Sequence, residues 1–151
     1  MKHPRHRLYA TLLFLGAGLL LYRTIAMITD GALTHLTPWV VFLLLVEMII
    51  DGIAMLVCLA WGLTGNARHI KNVVRVTTAV VVMHAVRVLI FVLGRIGPWT
   101  DFDVRPEARA LHAARWTWND VYLAGGLSAL SVILLIVFLR SWRRNKSNWI
   151  G

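Results

Sequence analysis

PWVVFLLLVEMIIDGIAMLVCLAWGL, from Pro38 to Leu63, is an apolar run interrupted only by two carboxylates, Glu47 and Asp51. A transmembrane helix needs roughly 20 mostly apolar residues, and this run is long enough. Pro38 suits a first helical turn because its missing N–H would have no partner there. Thr64, Gly65 and Asn66 then break the pattern. The two carboxylates are four residues apart, so they share one helix face.

Three more apolar runs flank this one, at about 8–29, 72–93 and 120–139. The charges between them are sorted. Lys2, Arg5 and Arg7, then Arg68, Lys71 and Arg75, then Arg140, Arg143, Arg144 and Lys146 lie in stretches with no Asp or Glu, while the alternate connections are neutral or slightly acidic. Basic residues concentrate on the cytoplasmic side of membrane proteins. The pattern predicts an all-α membrane protein, an antiparallel four-transmembrane-helix bundle with both termini cytoplasmic. It forms one domain over 1–151, with an outer segment at 94–119 and a basic cytoplasmic tail at 140–151. The expected location is a bacterial or archaeal plasma (inner) membrane.

The bulk composition agrees. The chain has 151 residues, 58% of them hydrophobic, with a mean hydropathy of +0.68; soluble domains are nearer half apolar. The net charge of +9 comes from the three basic stretches. It therefore reads as a topology signal and an anchor to anionic lipid headgroups, and no nucleic-acid partner is expected. Cys58 is the one cysteine, which excludes an internal disulfide, and in an apolar span it reads as a small buried hydrophobe. The basic start followed by Leu8–Tyr22 looks like a signal peptide but lacks a small-x-small site, so a retained first helix is expected.

Trp39, Trp99, Trp116 and Trp118 are expected at the outer interface, and Trp61 and Trp142 at the inner one, where amphipathic rings concentrate. Within the outer segment, Pro106 opens a short helix with Arg105, Arg109, His112 and Arg115 along one side. It reads as a helix lying on headgroups, with a lid over the outer mouth as the alternative.

The spans also carry charges. His84 and Arg87 are three apart in span three, Arg23 lies in span one above Gly16 and Tyr9 at seven-residue steps, and span four offers Ser128 and Ser131. Counted from the outer ends at ~1.5 Å per residue, Arg23, Glu47, Arg87 and Ser128 all lie about 10–13 Å deep, His84 about 16 Å and Asp51 about 20 Å. A lone charge at mid-bilayer costs at least ~2.5–3.5 kcal/mol. The charges should therefore meet inside the bundle: Glu47 with Arg87, Asp51 near His84, Arg23 as a second cation. Such a set serves either as a neutral lock or as an outward-facing polar pocket or proton relay. Arg87 opposes a metal at Glu47, Asp51 and His84, and one deep histidine does not make a bis-histidine haem site, so no metal or cofactor is expected.

Small residues mark close helix approaches: Gly16, Ala17 and Gly18 in span one, Ala54, Cys58 and Gly62 in span two, Ala124, Gly125, Ser128 and Ala129 in span four. No phosphate loop, zinc spacing or other catalytic motif is present, so an enzyme is not expected. The reading is an accessory or interaction subunit of a membrane assembly with homo- or hetero-oligomeric partners. The alternative is a small proton- or ion-coupled transporter, or a channel-forming oligomer, using the polar cluster.

Overall fold

The structure is a computed structural model describing residues 5–94, 97–111 and 118–144. It is all-helical, with no strand among the described residues. The long helices are α1 (His6–Met27), α2 (Pro38–Thr64), α3 (Ala67–Leu93) and α4 (Trp118–Arg144). Three helical stretches, His6–His35, Pro38–Thr64 and Arg68–Leu93, are long and apolar enough to cross a membrane, which marks the chain as an integral membrane protein.

The helix ends follow from local chemistry. Pro38 opens α2 behind an extended Thr37, the backbone that a residue preceding proline favours. Gly65 closes α2 at φ 60°, a left-handed conformation natural to glycine, and its N–H reaches the Trp61 carbonyl at 2.7 Å. Asn66 then caps α3, its side chain accepting from the Arg68 N–H at 2.9 Å. Because that cap is so close, α3 starts at Ala67. Arg68 and Lys71, which precede the apolar run expected from about residue 72, are therefore helical as well.

Helix α1 packs against α2 and α4, and α3 packs against α2 and α4. The register of α1 on α2 is antiparallel: Ala10 lies against Gly62, Gly18 against Met55, and Thr24 against Glu47. Tyr9, Gly16 and Arg23, the seven-residue stripe of α1, all meet α4, through Phe138, Leu135 and Ser128 respectively. The main core includes Leu13, Leu20, Ala54, Cys58, Val73, Val80, Leu135 and Phe138.

Trp61 is 2% exposed, packed between His6 and Phe138 at ring-centroid distances of 6.2 and 6.1 Å. Trp142 is buried too. Both were expected at an interface. Both rings turn into the helix bundle at that end of the molecule, Trp61 against His6 and Phe138. Trp39 and Trp99 are exposed. The side chains of Trp116, Trp118, His112, Arg115, Ala124 and Gly125 lie outside what the structure describes.

At one end, two connections interlock. After α1 come a π turn (Ile28–Ala32), with Gly31 at φ 98°, and a single helical turn at Leu33–His35. The chain before α4 folds back onto this connection. Leu36 and Val104 form an isolated antiparallel bridge. The Thr37 N–H donates to the Asp103 carbonyl at 3.0 Å and the Arg105 N–H to the His35 carbonyl at 2.8 Å. The Arg105 Nε donates to the Leu36 carbonyl at 2.9 Å. A second apolar cluster of Ala32, Leu36, Val40, Leu44, Val104 and Ala108 lies beneath this hook. The helix expected from Pro106 begins as a 3-10 turn, Pro106–Ala108. Arg105, expected on its basic side, is instead committed to backbone carbonyls of the hook.

Candidate functional site

The face of α2 carrying Glu47 and Asp51 meets the face of α3 carrying His84 and Arg87, toward the hook end. Apolar residues on both sides dictate this: Leu44 and Ala54 flank the carboxylates on the buried face of α2, and Val80 flanks His84 on that of α3. At helical spacing the charged side chains are carried inward with them.

The cluster is nearly dry. Asp51 is 0% exposed, His84 1% and Glu47 2%; the Arg87 side chain, at 15%, is the most accessible of the four. Glu47 Oε1 gathers three neighbours. The Thr24 hydroxyl donates to it at 2.8 Å, Arg87 Nη1 forms an ion pair with it at 3.1 Å, and His84 Nδ1 stands at 3.3 Å. Asp51 receives His84 Nε2 at 3.2 and 3.1 Å from its two oxygens. Arg87 Nη2 is 3.1 Å from His84 Nδ1, and Arg87 Nη1 lies 3.5 Å from the Met27 sulfur.

His84 thus bridges both carboxylates, where only Asp51 was expected beside it. One turn separates Glu47 from Asp51 on α2, and the imidazole, with nitrogens on opposite edges, spans that gap. The Nε2 edge has a single role, since Asp51 needs a donor. The Nδ1 edge has two. In a neutral ring it accepts from Arg87 Nη2; in an imidazolium it faces Glu47 Oε1 as a charge pair at 3.3 Å. Counted by formal charge, Glu47, Asp51, Arg87 and His84 sum to zero with an imidazolium and leave one net negative charge with a neutral ring.

Arg23 does not join them. Its Nη1 donates to Ser128 Oγ on α4, and its Nε is buried with no partner among the described residues. All six residues singled out from sequence therefore reach a partner across a helix boundary, with Arg23 held by a hydroxyl instead of a carboxylate. Thr24 was missed. It is 0% exposed and supplies Glu47's shortest bond, but a threonine beside a conspicuous arginine carries little signal. The only hint is its place four residues after the core residue Leu20.

Glu47, Asp51 and His84 also offer ligand atoms within 4.8 Å of one another. Their geometry suits a metal poorly. Glu47 and Asp51 address opposite edges of the ring, and the Arg87 guanidinium occupies the Glu47 oxygen that would bind a cation.

A pocket of about 60 Å³ opens under the hook, with Arg87 in its lining together with Asp30, His35 and Asp103. It holds a few waters at most. Comparison with known protein families, with curated proteins and with solved structures returns no match.

Proposed function

We propose that the chain is a four-span membrane bundle, N-in and C-in, whose buried Glu47–Arg87–His84–Asp51 network locks the helices, and that it serves as an accessory or interaction subunit of a larger membrane assembly. One observation carries this reading. Both deep carboxylates are satisfied by side chains of the same molecule. A closed network of paired charges offsets the cost of burying them and leaves little for a substrate to displace. Helix α4 supplies the fourth crossing. Its last turn carries Arg143 and Arg144, next to a basic tail suited to anionic headgroups.

The surface fits a partner-rich life in lipid. Val82, Val86 and Leu89 form an exposed stripe on α3, available to acyl chains or to a neighbouring helix. No nucleic-acid partner enters the proposal, because the positive charge is spread along the membrane-facing ends of helices.

A second reading rests on one specific observation: His84 Nδ1 lies within 3.3 Å of an acceptor and 3.1 Å of a donor, below a pocket that reaches Arg87. That is the equipment of a proton-coupled transporter or ion-conducting oligomer. Flux measurements separate the two. Purified protein in proteoliposomes carrying a pH-sensitive dye is expected to show no proton or cation flux above empty vesicles. Flux that disappears in Asp51→Asn, with thermal stability retained, would replace the accessory reading with the transport one.

A further inference from the structure

At the other end of α1 and α2 lies a groove of about 300 Å³, against about 60 Å³ for the pocket under the hook. It is within the lower range of small-molecule sites, roughly 300–1,000 Å³. Its origin is the small-residue contact. A Cβ on Gly62 would stand 3.1 Å from the Ala10 Cβ, so the two helices approach closely there, and the groove runs beside that contact between their larger neighbours. Phe14, Leu59 and Leu63 form its apolar walls, and Arg7 stands at its end.

Arg7, Thr11 and Phe14 fall at helical spacing on one face of α1. Arg7 and Thr11 are both exposed. Neither side chain makes a hydrogen bond or ion pair among the described residues. The threonine is informative, because Thr24, Thr64 and Thr78 each bond back to the carbonyl four residues earlier. The groove therefore presents a free guanidinium, then a free hydroxyl one turn deeper, then apolar walls. From Arg7 to Phe14 it runs about 10 Å along the helix. No carboxylate lines it among the described residues.

We propose that this groove binds one anionic glycerophospholipid of the inner leaflet, with its phosphate on Arg7, its glycerol-ester region on Thr11 and the upper part of an acyl chain along Phe14, Leu59 and Leu63. Charge selects the headgroup. A zwitterionic lipid would bring its own cation to an end of the molecule already carrying Arg5, Arg7, Arg68 and Lys71, whereas an anionic one meets only opposite charge. The inner-leaflet assignment rests on the N-in topology proposed above. The groove chemistry does not.

The test is native mass spectrometry of the full chain in mild detergent, titrated with phosphatidylglycerol or phosphatidylcholine of matched chains. The wild type is expected to retain one phosphatidylglycerol in preference to phosphatidylcholine. Arg7→Gln should cut phosphatidylglycerol occupancy about fivefold, the effect of one basic residue at an anionic lipid. Thr11→Phe, which fills the groove from an exposed position, should lower retention of both lipids. The Arg143→Gln/Arg144→Gln double variant, which removes charge elsewhere on the same end, should lower phosphatidylglycerol occupancy less than Arg7→Gln alone, because it leaves the groove intact. Equal retention of the two lipids by the wild type, or equal losses from Arg7→Gln and the Arg143/Arg144 double variant, would overturn the site. Labelling of an Arg144→Cys variant in sealed vesicles tests the topology separately: an outward-facing label would move the site to the other leaflet without affecting binding in detergent.

Discussion

Glu47→Gln and Arg87→Gln, alone and together, test whether the network locks the helices. In Glu47→Gln the new amide carbonyl would keep the Thr24 bond at its 2.8 Å position. Arg87 would lose the carboxylate now 3.1 Å from Nη1 and keep its contacts with His84 and Met27. Breaking a buried pair from one side costs about 3–5 kcal/mol in soluble proteins. Arg87 is 15% exposed and keeps some solvation, so the low end, about 3 kcal/mol, is expected for Glu47→Gln. Arg87→Gln leaves Glu47 with Thr24 and His84, and a similar loss of about 3 kcal/mol follows. Contacting residues couple by about 0.5–3 kcal/mol. On that coupling the double variant should lose about 4 kcal/mol, less than the sum. For a chain of this size each kcal/mol moves Tm by roughly 2–4 °C, so each single variant should melt about 6–12 °C lower. Thermal unfolding in mild detergent, followed by the helical signal, reads this directly. Interhelical hydrogen bonds in membranes average only about 0.6 kcal/mol. Single variants at that level, or strict additivity in the double, would show that the network does not hold the helices together.

Gly94→Ala should loosen the hook, because its new Cβ would stand 2.5 Å from Asp103 Oδ1 while the backbone there, at φ −67°, suits any residue. A cost of about 1–3 kcal/mol is typical of such overpacking, and faster tryptic cleavage at Arg105 and Arg109 would report it; unchanged cleavage would mean that Asp103 yields freely. Trp61→Ala should lose about 3–5 kcal/mol as a core truncation, whereas a ring facing lipid would lose far less, so the melting temperature in detergent checks its packing.

Much of the site could be read from the chain because hydrocarbon is intolerant of charge. Glu47 and Asp51 one turn apart, and His84 and Arg87 almost one turn apart, could avoid a large burial cost only by facing each other, so spacing alone paired these faces. Thr24 escaped notice since a hydroxyl costs little on a helix and makes no such demand. The inward packing of Trp61 escaped notice for a related reason: an indole suits an interface and a core equally well, and only the His6 and Phe138 rings beside it turn it into the bundle. The hook was invisible in the same way. Leu36, Val104 and Arg105 carry no periodic signal, and their pairing across the two connections depends on backbone groups that every residue possesses.

Hydropathy and helix-breaking residues by themselves determined that this is a helical membrane protein, because transfer of side chains to an apolar medium is additive along the chain and needs no partner. Folding in three dimensions decided that His84 would span two carboxylates, that Arg23 would settle on Ser128, and that the connection before α4 would clasp the one after α1. Those outcomes turn on distances of about 3 Å between atoms far apart in sequence, which one-dimensional periodicity does not encode.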